Sequence, residues 1–214
     1  MKASIFMKAN IFMLTAILLM ASNNKALAQS DQIHIGVKAG LNYSNVYDSQ
    51  GQEYTADGKI GLAGGAFVSI PITPLLGIQP ELMFSQKGFQ ATGTVLGSDI
   101  SFTRTSTFLD VPIFLAIKPN EMLTLLVGPQ YSFLMSQKDV FANPIQDIVV
   151  QEDFNNDNIR RNTLCLVGGV DVNLSSIVLG ARIGADMFNN NGDGTSTTPR
   201  YKNVWGQVSV GFRL

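Results

Sequence analysis

Ile33-His34-Ile35-Gly36-Val37-Lys38-Ala39-Gly40-Leu41-Asn42-Tyr43-Ser44 is the stretch on which the fold turns. Ile33, Ile35, Val37, Ala39, Leu41 and Tyr43 fall on one face of an extended chain. His34, Gly36, Lys38, Gly40, Asn42 and Ser44 fall on the other. A period of two with one apolar face is the signature of a β-strand. Seven further segments repeat it. Their apolar faces are Ile60 to Ile72, Ile78 to Phe84, Leu109 to Ile117, Leu123 to Met135, Leu164 to Leu174, Ile177 to Met187 and Val204 to Leu214, taken at every second residue. Each segment, the third counted through Lys87 on its other face, is long enough to cross a bilayer on a tilt, which takes about 9–11 residues.

The connections alternate as strictly as the side chains. Thr73–Leu76, Pro119–Glu121 and Ser175-Ser176 read as short turns. Asn45–Gly58, Gln90–Asp99, Gln137–Asn162 and Phe188–Lys202 read as long polar loops. Barrels of the bacterial outer membrane have tight turns on the periplasmic side and long loops outside. A soluble barrel also alternates, but it turns its apolar face inward and its charges outward. Here the apolar face is nearly free of charge through eight segments, whereas the other is rich in Gly, Ser and Thr with isolated charges. A Lys or Arg facing lipid near the midplane costs about 2–4 kcal/mol, so membrane burial accounts for that absence. Tyr43, Phe84, Phe133 and Phe188 near one rim and Phe212 near the other fit interfacial girdles. The fold expected is therefore all-β, an eight-stranded antiparallel up-and-down transmembrane β-barrel with both termini in the periplasm.

The start of the chain reads as a targeting segment. Lys2 and Lys8 precede an apolar run from Ile11 to Ala21, and Ala26-Leu27-Ala28 forms a small-residue cleavage site. The run is short for a spanning helix, and no Cys follows it to accept a lipid. Residues 1–28 are thus expected to be a cleaved signal peptide and residues 29–214 a single barrel domain of 186 residues, exported to the outer membrane. Cleavage removes Lys2, Lys8 and Lys25, so the 15 basic residues become 12 against 16 acidic ones. This balance provides no basic field for nucleic acid. The single Cys, Cys165, excludes an internal disulfide.

Several further stretches make the chain resemble a known family. They are Gly36-Val37-Lys38-Ala39-Gly40-Leu41-Asn42, Pro80-Glu81-Leu82, Phe108-Leu109-Asp110-Val111-Pro112-Ile113, Gly128-Pro129, Gly168-Gly169-Val170 and the terminal Val208-Ser209-Val210-Gly211-Phe212-Arg213-Leu214. In that order and spacing the chain resembles the PorT-like outer-membrane β-barrel proteins of Bacteroidetes, labelled "porin family" or "outer membrane protein beta-barrel domain". The resemblance implies a barrel of OmpA/OmpX-like architecture in outer-membrane lipid, inserted by the barrel-assembly machinery. A role in protein secretion is linked to PorT itself. Leu214 departs from the pattern, standing where relatives usually end on an aromatic residue.

The charged residues assigned to the interior are the candidate site: Lys38, Glu81, Asp110, Asp171, Arg182 and Asp186. An eight-stranded barrel is just wide enough for side chains to fill, and buried charges need partners. A salt-bridged plug is expected, with a small-solute channel as the alternative and a soluble barrel for an apolar ligand as the other.

No catalytic residue, cofactor or metal is assigned. His34, the one histidine, sits at the periplasmic end, and no Gly-x-Ser-x-Gly elbow occurs. Asp153, Asn155 and Asp157, and again Asn189, Asn191, Asp193 and Gly194, space like the opening of a calcium loop. The closing acidic position falls on Leu164 in one and Arg200 in the other, so turn chemistry explains both. Cys165 and Trp205 are assigned inward as packing, Trp205 near the rim. The loop 137–162, with Ile145, Ile148, Val149 and Val150 among polar residues, is the place expected to form a short hairpin and to meet a protein partner.

Overall fold

The computed structural model describes residues 32–48, 55–95, 98–143, 146–150, 161–190 and 201–214. The strands are β1 (His34–Asp48), β2 (Thr55–Pro71), β3 (Leu76–Val95), β4 (Ser98–Ile117), β5 (Leu123–Asn143), β6 (Gln146–Val150), β7 (Asn162–Leu174), β8 (Ile177–Asp186) and β9 (Tyr201–Arg213). Each of eight strands pairs antiparallel with its neighbours in sequence, apart from β6, and β9 returns to pair with β1. The sheet is thus a closed eight-stranded antiparallel barrel. β6 stands outside the ring as a hairpin on the end of β5, from Asp139↔Val150 to Asn143↔Gln146.

The side chains are distributed inside out relative to a soluble domain. Val37, Leu41, Leu62, Phe84, Ile113, Leu166 and Val208 all face outward and exposed, with Ile183 at 72%. Lys38, Glu81, Asp110, Asp171 and Arg182 face inward and are buried, with Arg182 at 4%. Closure is what lets such a wall meet lipid, because it leaves no strand edge with unpaired N–H and C=O groups. The outward positions between the rims hold no Asp, Glu, Lys or Arg among the described residues. Tyr43, Tyr47, Phe84, Tyr131, Phe133 and Phe188 are exposed toward the loop end of the wall, and Tyr131 and Phe133 make an edge contact with centroids 4.6 Å apart.

Three connections are short, as expected, and each is held by its own chemistry. Thr73 Oγ1 accepts from Leu76 N at 3.0 Å. Asn120 Oδ1 accepts from the N–H groups of Met122 and Leu123 at 3.0 and 2.9 Å. Ser175 takes φ 57° in the two-residue turn between β7 and β8.

The opposite ends differ from the sequence reading. The stretch read as a loop from Gln90 to Asp99 is mostly ladder: β3 runs to Val95, and β4 starts at Ser98. Likewise β5 continues to Asn143 through the start of the loop placed at 137–162, β1 reaches Asp48, and β2 begins at Thr55. The reason is that Gln86 and Gln90 of β3, Thr103, Thr105 and Thr107 of β4, and Ser136 and Lys138 of β5 put polar groups on the outer face too. Backbone pairing persists there, but the apolar alternation that reveals a strand does not.

Inside the narrow barrel, bulky side chains lie over glycines of adjacent strands. The Phe67 ring covers Gly36, and the Trp205 indole covers Gly184 so closely that a Cβ there would come within 2.5 Å of it. Gly184→Val is expected to eject the indole and to destabilise the barrel by about 1–3 kcal/mol, the range for an overpacked site. The red shift of the emission from the one Trp, with urea unfolding in lipid, measures it. Val208 lies at the centre of the outward row of β9. Val208→Arg should cost about 2–4 kcal/mol in the same unfolding assay, while Val208→Leu should be near neutral.

Candidate functional site

The inward residues form tiers along the barrel axis. In the tier nearest the short turns, β1 supplies Lys38, β3 Gln79 and Glu81, β7 Asp171 and β8 Arg182. Lys38 Nζ lies 2.6 Å from Glu81 Oε1. Arg182 spans the two acids, with Nη1 at 2.7 Å from Asp171 Oδ1 and Nη2 at 3.5 Å from Glu81 Oε1. Gln79 Nε2 donates to Glu81 at 2.9 Å and to Asp171 at 3.2 Å. Two cations thus meet two carboxylates, and the tier is neutral. The cations also lie over aromatic faces, Lys38 at 5.0 Å from the Phe67 centroid and Arg182 at 5.5 Å from that of Phe114. Such stacking helps where water is excluded.

The middle tier joins Lys87 of β3 to Asp110 of β4 at 2.9 Å, and Ser85 Oγ donates to the same carboxylate oxygen. The Lys87 amine sits between the rings of Phe108 and Trp205, at 5.0 and 4.9 Å. Asp186 is held by neutral donors instead: Cys165 Sγ at 3.0 Å, and Asn203 N and Nδ2 at 3.1 and 2.6 Å. Trp205 packs with Phe114, Ala116, Leu126, Cys165 and Val167 in one buried apolar cluster. It is therefore a core residue and not filler at the rim.

The outermost tier was invisible to the sequence reading. Arg104 of β4 grips Asp139 of β5 with two parallel bonds, Nε–Oδ1 at 2.8 Å and Nη2–Oδ2 at 2.6 Å, and donates Nη1 to Tyr201 Oη at 2.8 Å. The fork geometry suits guanidinium and carboxylate. The Phe89 ring meets Phe102 at 5.7 Å and Tyr201 at 5.5 Å. This cap ties the β4–β5 wall to β9 across the mouth.

Of the six charged residues nominated from the sequence, Lys38, Glu81, Asp171 and Arg182 converge on one network. Asp110 and Asp186 belong to the middle tier, so the single network expected is divided. Lys87 was readable, since it continues the inward series Glu81, Met83, Ser85, Lys87. Arg104 and Asp139 carried no such signal. His34 lies at the opposite end from Cys165, across from Ser69. The run Asp153, Asn155, Asp157 lies outside the described residues, as do Asn191, Asp193 and Gly194. So does Ile145 of the loop, and residues 1–28 likewise.

Removing one member of a buried charge set strands its partners, at about 3–5 kcal/mol. Arg182→Met leaves Lys38 facing two carboxylates and should lower stability by that amount. Arg182→Met combined with Asp171→Leu restores the charge balance and should recover most of it. Urea unfolding of the two variants in lipid measures the difference.

Residues 27–186 match the model of a protein family described as outer membrane protein beta-barrel domain. A search of curated proteins finds no match. Among solved structures, the chain is similar to the attachment invasion locus protein Ail of Yersinia pestis at 14% identity and a TM-score of 0.44, over 85% of this chain and 98% of that one. Neisserial surface protein A is similar at 10% identity and a TM-score of 0.47, over 84% and 97%. OprG of Pseudomonas aeruginosa is similar at 10% identity and a TM-score of 0.41, over 86% and 97%. With three quarters of its length inside the family model, the chain belongs to the outer membrane protein β-barrel domain family.

Proposed function

We propose that this outer-membrane barrel does not conduct: its interior is a salt-bridged plug, and its work is done by the surfaces that rise above the outer rim. The observation that carries the first part is the three tiers of paired charges, which occupy the lumen from Gln79 to Tyr201. A chamber among the described residues beside Phe114 and Trp205 measures about 10 Å³, the lower limit of what holds a single water. A permeating solute would have to separate at least two buried ion pairs.

The second part rests on the upper ends of β3, β4 and β5 with the β6 hairpin. These strands run 20, 20 and 21 residues, well beyond the length a tilted span requires. Their upper outer faces are polar, which suits contact with a protein partner in water more than contact with lipid. The PorT-like resemblance adds a secretion-accessory role as one form such a partnership takes.

Purified barrel in a planar bilayer is expected to give no discrete conductance steps. Reproducible steps in the wild type would overturn the plug and favour a small-solute channel. Recovery of the chain as a soluble periplasmic protein, without heat-modifiable migration on gels, would overturn the barrel's membrane role as well.

A further inference from the structure

Among the six buried side-chain atoms of the described residues that make no hydrogen bond to protein are Asp110 Oδ1, Arg182 Nε and Trp205 Nε1. Their residues are 3%, 4% and 7% exposed, and all three line the same chamber of about 10 Å³, together with Asn42, Glu81 and Lys87. A buried polar group without a partner costs about 1–3 kcal/mol, so three around one chamber require an explanation. Their chemistry is mixed. Asp110 Oδ1 is an acceptor, whereas the guanidinium Nε–H and the indole N–H are donors. A bare cation would face two N–H groups, and an anion would face a carboxylate. The species that satisfies all three is one that both donates and accepts, and the chamber has room for one small molecule of that kind.

We infer that the chamber is a binding site for a single ordered water, which accepts from Arg182 Nε and Trp205 Nε1 and donates to Asp110 Oδ1. Three bonds is the usual complement of a buried water. The position matters because Arg182 belongs to the lower network, with Glu81 and Asp171, and Asp110 to the middle one, with Lys87. The water joins tiers that share no direct ion pair. It makes the polar column continuous through the apolar waist formed by Phe114, Trp205 and their neighbours. The inference rests on the filled interior proposed above.

The chain has one Trp, so a ¹⁵N-labelled barrel in nanodiscs has one indole N–H resonance. That proton is expected to be protected from deuterium exchange and still to show a cross-relaxation peak to water. Asp110→Asn retains an acceptor and should retain the peak. Asp110→Leu removes the acceptor and should lose it. A crystal structure of the wild type should show a density peak within about 2.7–3.2 Å of all three atoms. A non-conducting barrel whose protected indole shows no water peak, with a dry chamber in the crystal, overturns the water site and spares the plug. A conducting barrel whose indole exchanges rapidly overturns the plug itself. If Asp110→Leu does not insert, the wild-type spectrum and density decide alone.

Discussion

The ladder between β1 and β9, from Gly36↔Arg213 to Asp48↔Tyr201, is the contact on which the rest depends. Hydrocarbon offers a backbone no hydrogen bonds, so a sheet with two free edges cannot reside there. Once this seam closes, every outward position can be apolar, because nothing on that face needs water. The same closure defines a lumen that a chain of this strand number must fill with its own side chains. Polar residues gathered on the inner face are therefore sequestered both from lipid and from bulk solvent. They have to satisfy one another, and the tiers from Lys38–Glu81 to Arg104–Asp139 are the result.

Filling a lumen with charge is a constrained solution. Two ions taken out of water regain that loss only when their geometry is good and their remaining bonds are met. The lower tier satisfies this with equal numbers of each sign, a glutamine bridging the acids, and aromatic faces beneath both cations. Asp186 satisfies it differently, with a thiol and an asparagine in place of a cation. Space is the other constraint. Room for the Trp205 indole exists because Gly184 beside it has no side chain, so the size of one residue is fixed by the absence of another on the next strand.

How much of this was legible in the sequence follows from what a period of two can carry. It assigns a face, and within the apolar belt it did so for Lys38, Glu81, Asp110, Asp171, Arg182 and Asp186 alike. It carries no register between strands. That Asp110 meets Lys87 rather than Arg182 depends on Met83↔Asp110 pairing and on side-chain direction, neither of which one strand's pattern encodes. Above the belt even the face is lost. Arg104 and Asp139 lie directly opposite each other on β4 and β5, but Thr103, Thr105 and Lys138 around them are polar on the other side, and a strand wet on both faces reads as a loop.

The unequal strand lengths have one more implication. Among the described residues, β3, β4 and β5 are 20, 20 and 21 residues long, whereas β7, β8 and β9 on the other side are 13, 10 and 13. A cylinder looks the same from every direction in the plane of the membrane, but one with a single raised side has a front and a back. Anything that docks on the raised sheet is thereby given a heading as well as a height, and neighbours crowding in from the lower side are held at a different distance from those behind.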